Sequence, residues 1–385
     1  MKKNRFGIVL FLLLVGGVIF SKVGWAADFL NPVEDVQKCD RALHIMAMLL
    51  VGFGFLMVFV KKYGRSALTA TFLLVSVAIP LYICLNSSGL FGGVKPGVEG
   101  LILAEFAAAG LLICAGAVLG RLKMFQYILL GLLFVPCYML NEWILLSGGL
   151  GLLAKGGFAD TGGSIVIHAF GALFGLGLIM TMTTQKEFET PIETDAASDR
   201  FSMLGSMVLW IFWPSFCAAL VPAAQVPQTV INVVLALCGA TLATYIVSSA
   251  LRRKISIADI ANASLAGGVA IGSTCDHANP VSAITIGLCA GALSVFGFAV
   301  VQSWLQKKIA KVDTCGVLYL HGLPGLMGGL AAVFVVSGLN SRIQLTGIMI
   351  AVVIALISGY VSGRVLALFG RRVTAYEDAE EFLDA

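Results

Sequence analysis

The sequence predicts an all-α integral membrane protein with eleven transmembrane helices, arranged as a 5+5 inverted repeat and a final helix. The first observation is composition: 59% of the 385 residues are hydrophobic, 12% are charged, and the mean hydropathy is +0.96. The second is a succession of apolar stretches of about 20 residues, the length that a helix needs to cross about 30 Å of hydrocarbon. The third is a motif that occurs twice. Together they exclude a water-soluble fold, and the scattered basic residues do not indicate nucleic-acid binding.

The amino terminus has the three parts of a secretory signal. Lys2 and Lys3 precede an apolar run at residues 6–20, and small residues follow up to Ala26. We therefore expect a cleaved signal peptide at residues 1–27. The alternative is an additional transmembrane helix that the mature protein retains.

A single membrane domain is predicted for residues 28–370, with a short tail at 371–385. The repeat halves cover about 40–185 and 200–340. The predicted spans are 43–60, 67–86, 99–119, 125–146, 163–183, 202–222, 228–250, 256–274, 280–303, 315–337 and 343–369.

The orientation follows from the basic residues, which are concentrated in the connections on one side of the predicted spans. Cytoplasmic connections carry the excess of Lys and Arg. This predicts a multi-pass protein of the inner (plasma) membrane, with the mature amino terminus outside and the carboxyl terminus in the cytoplasm.

The duplicated motif is DTGGSIVIHAFGALFG from Asp160 and DTCGVLYLHGLPGLMG from Asp313. Each half holds five spans, an odd number, so the two copies cross the membrane in opposite directions. His168 and His321 each follow the aspartate of their motif by eight residues. If these eight residues are helical, each histidine lies about 12 Å below its own membrane face, so the two lie at similar depth. A lone buried histidine is usually a packing residue, but two at equivalent positions of an inverted repeat indicate a transport path.

Two neutral imidazoles in contact need complementary tautomers, one donating and one accepting. Each then keeps one nitrogen for a small solute that both donates and accepts, such as ammonia or water. An ammonium ion would lose several kcal/mol of solvation in a narrow apolar passage. Deprotonation before passage is therefore the favoured route.

Four acids are the remaining ionisable candidates. Asp160 and Asp313 precede their helices, where a carboxylate caps the positive end. Glu105 and Glu142 lie inside predicted spans, where ionisable side chains usually face an interior or a wet cavity. They are candidates for an outer vestibule that concentrates cations, with ion pairing or capping as the alternative.

Phe106 and Phe216 both fall in the outer half of their spans, where a ring pair would exclude bulky solutes and offer a face to a cation. The nine cysteines lie mostly inside spans and indicate small buried hydrophobes. Of these, Cys39 and Cys275 are the two that could face an oxidising compartment.

The chain resembles the ammonium transporter superfamily (Amt/Mep/Rh), and its Rhesus-glycoprotein branch in particular, over nearly its whole mature length. The segments that carry this resemblance are DTGGSIVIHAFGALFGL, SDRFSMLGSMVLWIFWPSF, ANASLAGGVAIG and DTCGVLYLHGLPG. It implies a homotrimer without a cofactor, not an enzyme, with one hydrophobic ammonia pore in each subunit.

The resemblance also implies roles for individual residues: His168 and His321 match the paired pore histidines, and Phe106 and Phe216 match the outer gate. Asp160 matches a structural acid at the outer end, with Asp313 as its repeat partner. Glu142 matches a vestibule acid, and some members are proposed to pass carbon dioxide. The chain departs from the branch pattern at three positions. They are Cys217, which follows the gate phenylalanine, and Leu318 and Tyr319, which precede the second histidine.

Three other functions are alternatives. The histidines could relay a proton, which would make transport of ammonium, or of ammonia plus a proton, electrogenic. They could instead ligate a haem in an intramembrane redox protein. An ammonium sensor would use the tail to contact a cytoplasmic regulator.

Overall fold

The computed structural model describes residues 32–92 and 97–383, and these two ranges contain helices and connections but no strand. The predicted signal peptide at 1–27 lies outside the described residues. An all-helical fold is what lipid requires, since each backbone N–H and C=O must find its partner within its own segment.

Eleven helical segments, α1 to α11, make up the body of the protein. In chain order they are Val33–Phe59, Gly64–Ser87, Gly97–Ala117, Met124–Ser147, Ser164–Met182, Ala196–Cys217, Ala223–Arg252, Ile257–Ile271, Pro280–Ile309, Leu318–Val335 and Ser341–Ala367.

Within the described ranges, nine of these segments are long and apolar enough to cross a membrane. The other two are α6 and α8. The α6 helix has 22 residues, but serines, tryptophans and Pro214 lower its hydropathy. The α8 segment is short and is interrupted by a turn between Ala263 and Ala266.

Helices α5 and α10 run antiparallel through the centre. A methyl group placed on Gly322 of α10 would lie 3.4 Å from Ala172 Cβ, and one on Gly329 would lie 2.5 Å from Ile165 Cδ1. As the chain advances along α10, its contacts therefore move backwards along α5. The residues that begin the two helices consequently lie at opposite faces, which we name the Asp160 face and the Asp313 face.

Glycines bring the surrounding helices into backbone contact. A Cβ on Gly287 of α9 would lie 2.0 Å from Ala236 O of α7, and one on Gly359 of α11 would lie 2.1 Å from Phe174 O of α5. Both distances are far below a van der Waals contact with backbone. Small residues at such crossings drive helix association in lipid, where the hydrophobic effect between helices is absent.

The carboxyl-terminal segment folds back over the Asp313 face. Asp378 accepts the backbone N–H groups of Ser66 (2.8 Å) and Arg65 (3.0 Å) and so caps α2. The Arg372 guanidinium is buried between Glu380 and Glu381, at 3.3 and 3.1 Å. The tail at 371–385, predicted as a short appendage, is thus packed against the helix starts in its described part.

Arg121, in the connection between α3 and α4, is enclosed by the protein. It is fully buried, donates to the carbonyl of Ala117 and the hydroxyl of Thr183, and lies 3.0 Å from the Thr314 hydroxyl. A buried guanidinium needs such partners because its desolvation is costly. It ties the α3–α4 connection to the start of the second motif copy.

Candidate functional site

The two motif histidines touch each other in the centre of the protein. His168 Nδ1 and His321 Nδ1 are 3.3 Å apart, and the ring planes differ by 9° with centroids 5.3 Å apart. The residues are 2% and 4% exposed. His168 Nε2 is buried and has no hydrogen-bond partner among the described residues. The hydrogen bond between the rings therefore joins the two Nδ1 atoms, and neither Nε2 atom takes part in it.

Two further rings extend the pair into a column. The Trp213 ring lies 5.5 Å from His168 at 23°, and the Phe53 ring lies 6.3 Å from His321 at 25°. The indole Nε1 of Trp213 is also buried without a partner within the described ranges. Trp213 precedes Phe216, the predicted gate residue, by three positions, so helical spacing could have indicated that its ring lies on the same side of α6. No sequence signal indicated Phe53.

The helices that carry the histidines start later than expected. His168 and His321 do follow their aspartates by eight residues, but Gly163 (φ 75°) and Gly316 (φ 66°) adopt left-handed backbone and delay the helices. His168 lies in a π-helical turn, Ser164–Ala169, and His321 lies in another, Leu318–Gly322. The prediction of eight helical residues before each ring is therefore wrong, although the rings meet. Wide turns of this kind are frequent at functional sites.

Phe106 and Phe216 lie against each other beside the histidines. Their ring centroids are 4.7 Å apart with planes tilted by 51°, and the Phe216 ring lies 6.0 Å from that of His168. The two residues are 6% and 3% exposed. The pair thus lies next to the His168 ring, in a tilted rather than parallel arrangement.

Each aspartate caps its own histidine helix. Asp160 accepts the N–H groups of Ile165 (3.0 Å) and Val166 (2.7 Å), and the Ser273 hydroxyl donates to it at 2.5 Å. Asp313 accepts the N–H groups of two residues, Val317 and Leu318, at 3.0 Å each. The contacts agree with the capping interpretation and fix both helix starts, and Ser273 ties the first to the end of α8.

The two glutamates have different surroundings. Glu142 accepts hydrogen bonds from Tyr82 (2.6 Å) and Tyr138 (3.4 Å) and lines a cavity of about 520 Å³. Glu105 is 1% exposed, and neither carboxyl oxygen has a partner among the described residues. The vestibule interpretation therefore suits Glu142, whereas burial removes Glu105 from an open vestibule.

On the other side of the histidines the passage is narrow and apolar. A space of about 20 Å³ lies between Phe53, Ile113, Leu320 and His321, and it holds about one water-sized molecule. Asn262, like Cys315, borders both this space and a cavity of about 350 Å³ beyond it. The shared lining residues place the small space next to this larger cavity.

The three departures from the Rhesus pattern point away from the histidine contact. Cys217 lies against Gly162, where a methyl group would be 2.9 Å from Cys217 Sγ. The Tyr319 ring packs against Phe298, with centroids 5.6 Å apart. The Leu318 side chain lies against Gly322 within its own helix turn.

The described residues contain no group of three His, Cys, Asp or Glu side chains that could hold a metal ion. The imidazoles of His168 and His321 contact each other directly, with 3.3 Å between their Nδ1 atoms. This contact does not favour the haem alternative, which needs the iron between two histidine nitrogens.

The apolar helices and the antiparallel central pair define a multi-pass integral membrane protein. The sequence profile of the Ammonium Transporter Family matches residues 11–382. The chain belongs to this family, and within it to the Rhesus branch.

Individual relatives support the branch assignment. The chain is 39% identical over 300 residues to Ammonium transporter Rh type B of Pan troglodytes, covering 76% of this chain and 64% of that protein. It is 36% identical over 353 residues to Rh type A of Bos taurus, covering 87% and 81%. It thus spans just under two thirds of the Rh type B length.

Solved structures agree. Nitrosomonas europaea Rh50, described with the Rhesus protein family of channels, superposes with a TM-score of 0.91 at 54% identity, covering 92% of this chain and 94% of that one. A sensor Amt protein superposes with a TM-score of 0.79 at 18% identity, covering 92% and 98%. The second likeness concerns the fold alone.

Proposed function

We propose that this protein is a Rhesus-type channel that conducts ammonia past His168 and His321. The observation that carries the proposal is the buried Nδ1–Nδ1 contact of 3.3 Å, with His168 Nε2 left without a partner among the described residues. Such nitrogens in an apolar passage suit a small solute that donates and accepts hydrogen bonds.

The tautomers follow from the contact. One Nδ1 donates to the other, so the donating ring has a bare Nε2 and the accepting ring carries its proton on Nε2. Ammonia can donate to the first and accept from the second. The two imidazoles therefore supply hydrogen-bonding groups for ammonia in a route that is otherwise lined by apolar and aromatic side chains.

Neutral ammonia is the proposed species because the route excludes charge. The closed Phe106–Phe216 pair and the space of about 20 Å³ beyond the histidines leave no room for a hydration shell. A buried cation without partners loses several kcal/mol or more. In our proposal ammonium approaches near Glu142, meets the ring faces of the gate and gives up its proton before passage.

The decisive test is stopped-flow alkalinisation of proteoliposomes under an ammonium gradient. The expected result is alkalinisation faster than in empty vesicles, without current on a solid-supported membrane. Rates equal to those of empty vesicles would exclude conduction, and a current that scales with ammonium would favour the electrogenic alternative. The same assay with carbon dioxide as solute tests whether it also passes.

A histidine substitution tests the site itself. His168→Ala removes one half of the pair and opens space beside Trp213, so we expect water and protons to leak through the variant. The matched control is His277→Ala, because the His277 side chain is 46% exposed and lies outside the ring column. Unchanged exclusion of water and protons in His168→Ala would make the pair structural only.

We further propose that all eleven helical segments cross the membrane as a 5+5 inverted repeat with a final helix. The antiparallel α5 and α10 and their matching aspartate caps support it. The proposed mature amino terminus, after cleavage of residues 1–27, is outside, and the Asp313 face is cytoplasmic. Labelling of single cysteines introduced at 155 and 308 by an impermeant maleimide tests the orientation, and the mass of the mature chain tests cleavage.

A homotrimer is the proposed assembly. Apolar side chains are exposed along one face of α6, among them Leu204 (45%), Met207 (57%) and Ile211 (59%). They suit lipid or a neighbouring subunit. Native mass spectrometry from detergent distinguishes a trimer from a monomer.

A further inference from the structure

A polar cavity of about 410 Å³ lies between α1, the end of α6 and the start of α7, and neither the histidine pair nor the gate lines it. It is close to the Asp160 face, because Cys217 at the end of α6 lies against Gly162 of the first motif copy. Its polar lining consists of four side chains at helical spacing on α1 and one serine of α6, namely Gln37, Asp40, Arg41, His44 and Ser215.

Arg41 brings a positive charge to this cavity. The side chain is half-buried, and its Nε atom is buried without a hydrogen-bond partner among the described residues. Glu34, two turns earlier on the same side of α1, is held by Lys38 at 3.1 Å. An unpaired donor of a charged group is costly when it is buried. The position of Arg41 therefore favours an anionic acceptor from outside the chain.

The wall around Arg41 is fixed and also carries a negative charge. His44 Nδ1 lies 3.0 Å from Ser215 Oγ, and the His44 ring stacks on Phe212 with 4.8 Å between centroids and 21° between planes. Asp40 is exposed, and consecutive residues of a helix do not face each other, so its carboxylate is directed away from Arg41. The cavity thus presents a cationic and an anionic group next to each other.

Exposed apolar side chains lie beneath this polar wall, on the side of the membrane centre. They are Leu43 of α1 (68% exposed), Ile211 of α6 (59%) and Ile231 of α7 (54%). Each lies three or four residues deeper than a cavity residue of its own helix, which is about 5–6 Å. A phospholipid has the same order, with its polar headgroup outside and its acyl chains inside. A soluble anion would use the polar part alone.

We propose that this cavity binds a phospholipid whose headgroup carries a primary amine, as in phosphatidylethanolamine. The phosphodiester accepts hydrogen bonds from the Arg41 guanidinium, which are strong because both groups are charged. The ammonium group of the same headgroup pairs with Asp40, and the acyl chains cover Leu43, Ile211 and Ile231. An anionic headgroup without an amine would leave Asp40 unpaired beside the phosphate. The inference goes beyond the proposed function and does not depend on ammonia conduction.

The test is native mass spectrometry of the full-length protein, delipidated in detergent and titrated with phosphatidylethanolamine or phosphatidylglycerol. The wild type is expected to bind phosphatidylethanolamine more tightly. Arg41→Gln is expected to weaken this binding about tenfold, which corresponds to about 1.4 kcal/mol. The matched control is Arg342→Gln, an exposed arginine next to Asn340, which lines a cavity with Asp160, and it is expected to change nothing. Equal affinity of the wild type and Arg41→Gln for phosphatidylethanolamine would overturn the proposal.

A second variant separates the lipid site from a loss of folding. Asp40→Asn removes the partner of the amine and is expected to reverse the preference, so that phosphatidylglycerol binds more tightly; a misfolded protein would not gain affinity for one lipid. An unchanged preference in Asp40→Asn would overturn the headgroup assignment. Dissociation of the oligomer in Arg41→Gln with unchanged lipid affinity would assign the cavity to a neighbouring subunit instead. These measurements use no ammonia, so failure of the lipid site is distinguished from failure of the proposed conduction.

Discussion

Replacement of Asp160 by Ala is expected to destabilise the protein more than the same change at Asp313. Asp160 accepts hydrogen bonds from Ile165, Val166 and the Ser273 hydroxyl, whereas Asp313 accepts two backbone N–H groups, those of Val317 and Leu318. A hydrogen bond to a charged group contributes about 1.5–3 kcal/mol. We therefore expect losses of about 6 kcal/mol for Asp160→Ala and about 4 kcal/mol for Asp313→Ala.

The measurement is thermal unfolding in detergent, followed by intrinsic fluorescence. For a chain of 385 residues, 1 kcal/mol corresponds to about 1.2 °C, so the two variants are expected to lower the Tm by roughly 7 and 5 °C. Ser273→Ala is the control that isolates the difference, with an expected fall of about 2 °C by the same conversion. Equal shifts for the two aspartate variants, together with a silent Ser273→Ala, would refute the reasoning.

Other predictions concern packing, the tail and the ring column. Gly359→Ala places a methyl group 2.1 Å from the backbone of α5 and is expected to cost about 2 kcal/mol in thermal unfolding; Gly54→Ala, with 3.4 Å to its nearest side chain, is the mild control, and equal Tm values would contradict the packing argument. Asp378→Ala removes the cap of α2 and is expected to lower the free energy of unfolding by about 1 kcal/mol and to make the tail sensitive to limited proteolysis. An unchanged cleavage pattern would show that the other contacts of the tail hold it in place. Trp213→Leu removes the ring that stacks on His168, so the osmotic water flux across the proteoliposome membrane is expected to rise. An unchanged water flux would show that the Trp213 ring does not exclude water.

The motif repeat predicted that the two histidines lie at similar depth, although the eight helical residues expected before each ring were wrong. Because the spacing of aspartate and histidine is equal in two helices of opposite direction, a delay that both helix starts share leaves the two imidazoles at one depth. The aspartate caps follow from the same local chemistry.

Other features depend on tertiary packing and could not be read from local patterns. The positive φ angles of Gly163 and Gly316 delay the helix starts, and glycine in a sequence does not specify that conformation. Phe53 is one of 24 phenylalanines, so its place beside His321 has no sequence signal. Arg121 lies in a short connection, and its burial against Thr314 of the second motif copy depends on a contact across 193 positions of sequence that no local pattern indicates.

The Nδ1–Nδ1 contact of the histidines has a consequence for protons that arrive without ammonia. A proton that binds the bare Nε2 of the donating ring passes its partner proton across the contact, and the accepting ring releases its own from Nε2. Both tautomers are then inverted, so the next proton from the same side finds no lone pair. The starting tautomers return only when a proton crosses from the opposite side or when the rings turn over, and the Trp213 and Phe53 rings pack on both imidazoles and oppose turning. Under the proposed function, the pair therefore transfers one proton in a given direction and then stops, so that ammonia passes without a continuous leak of protons.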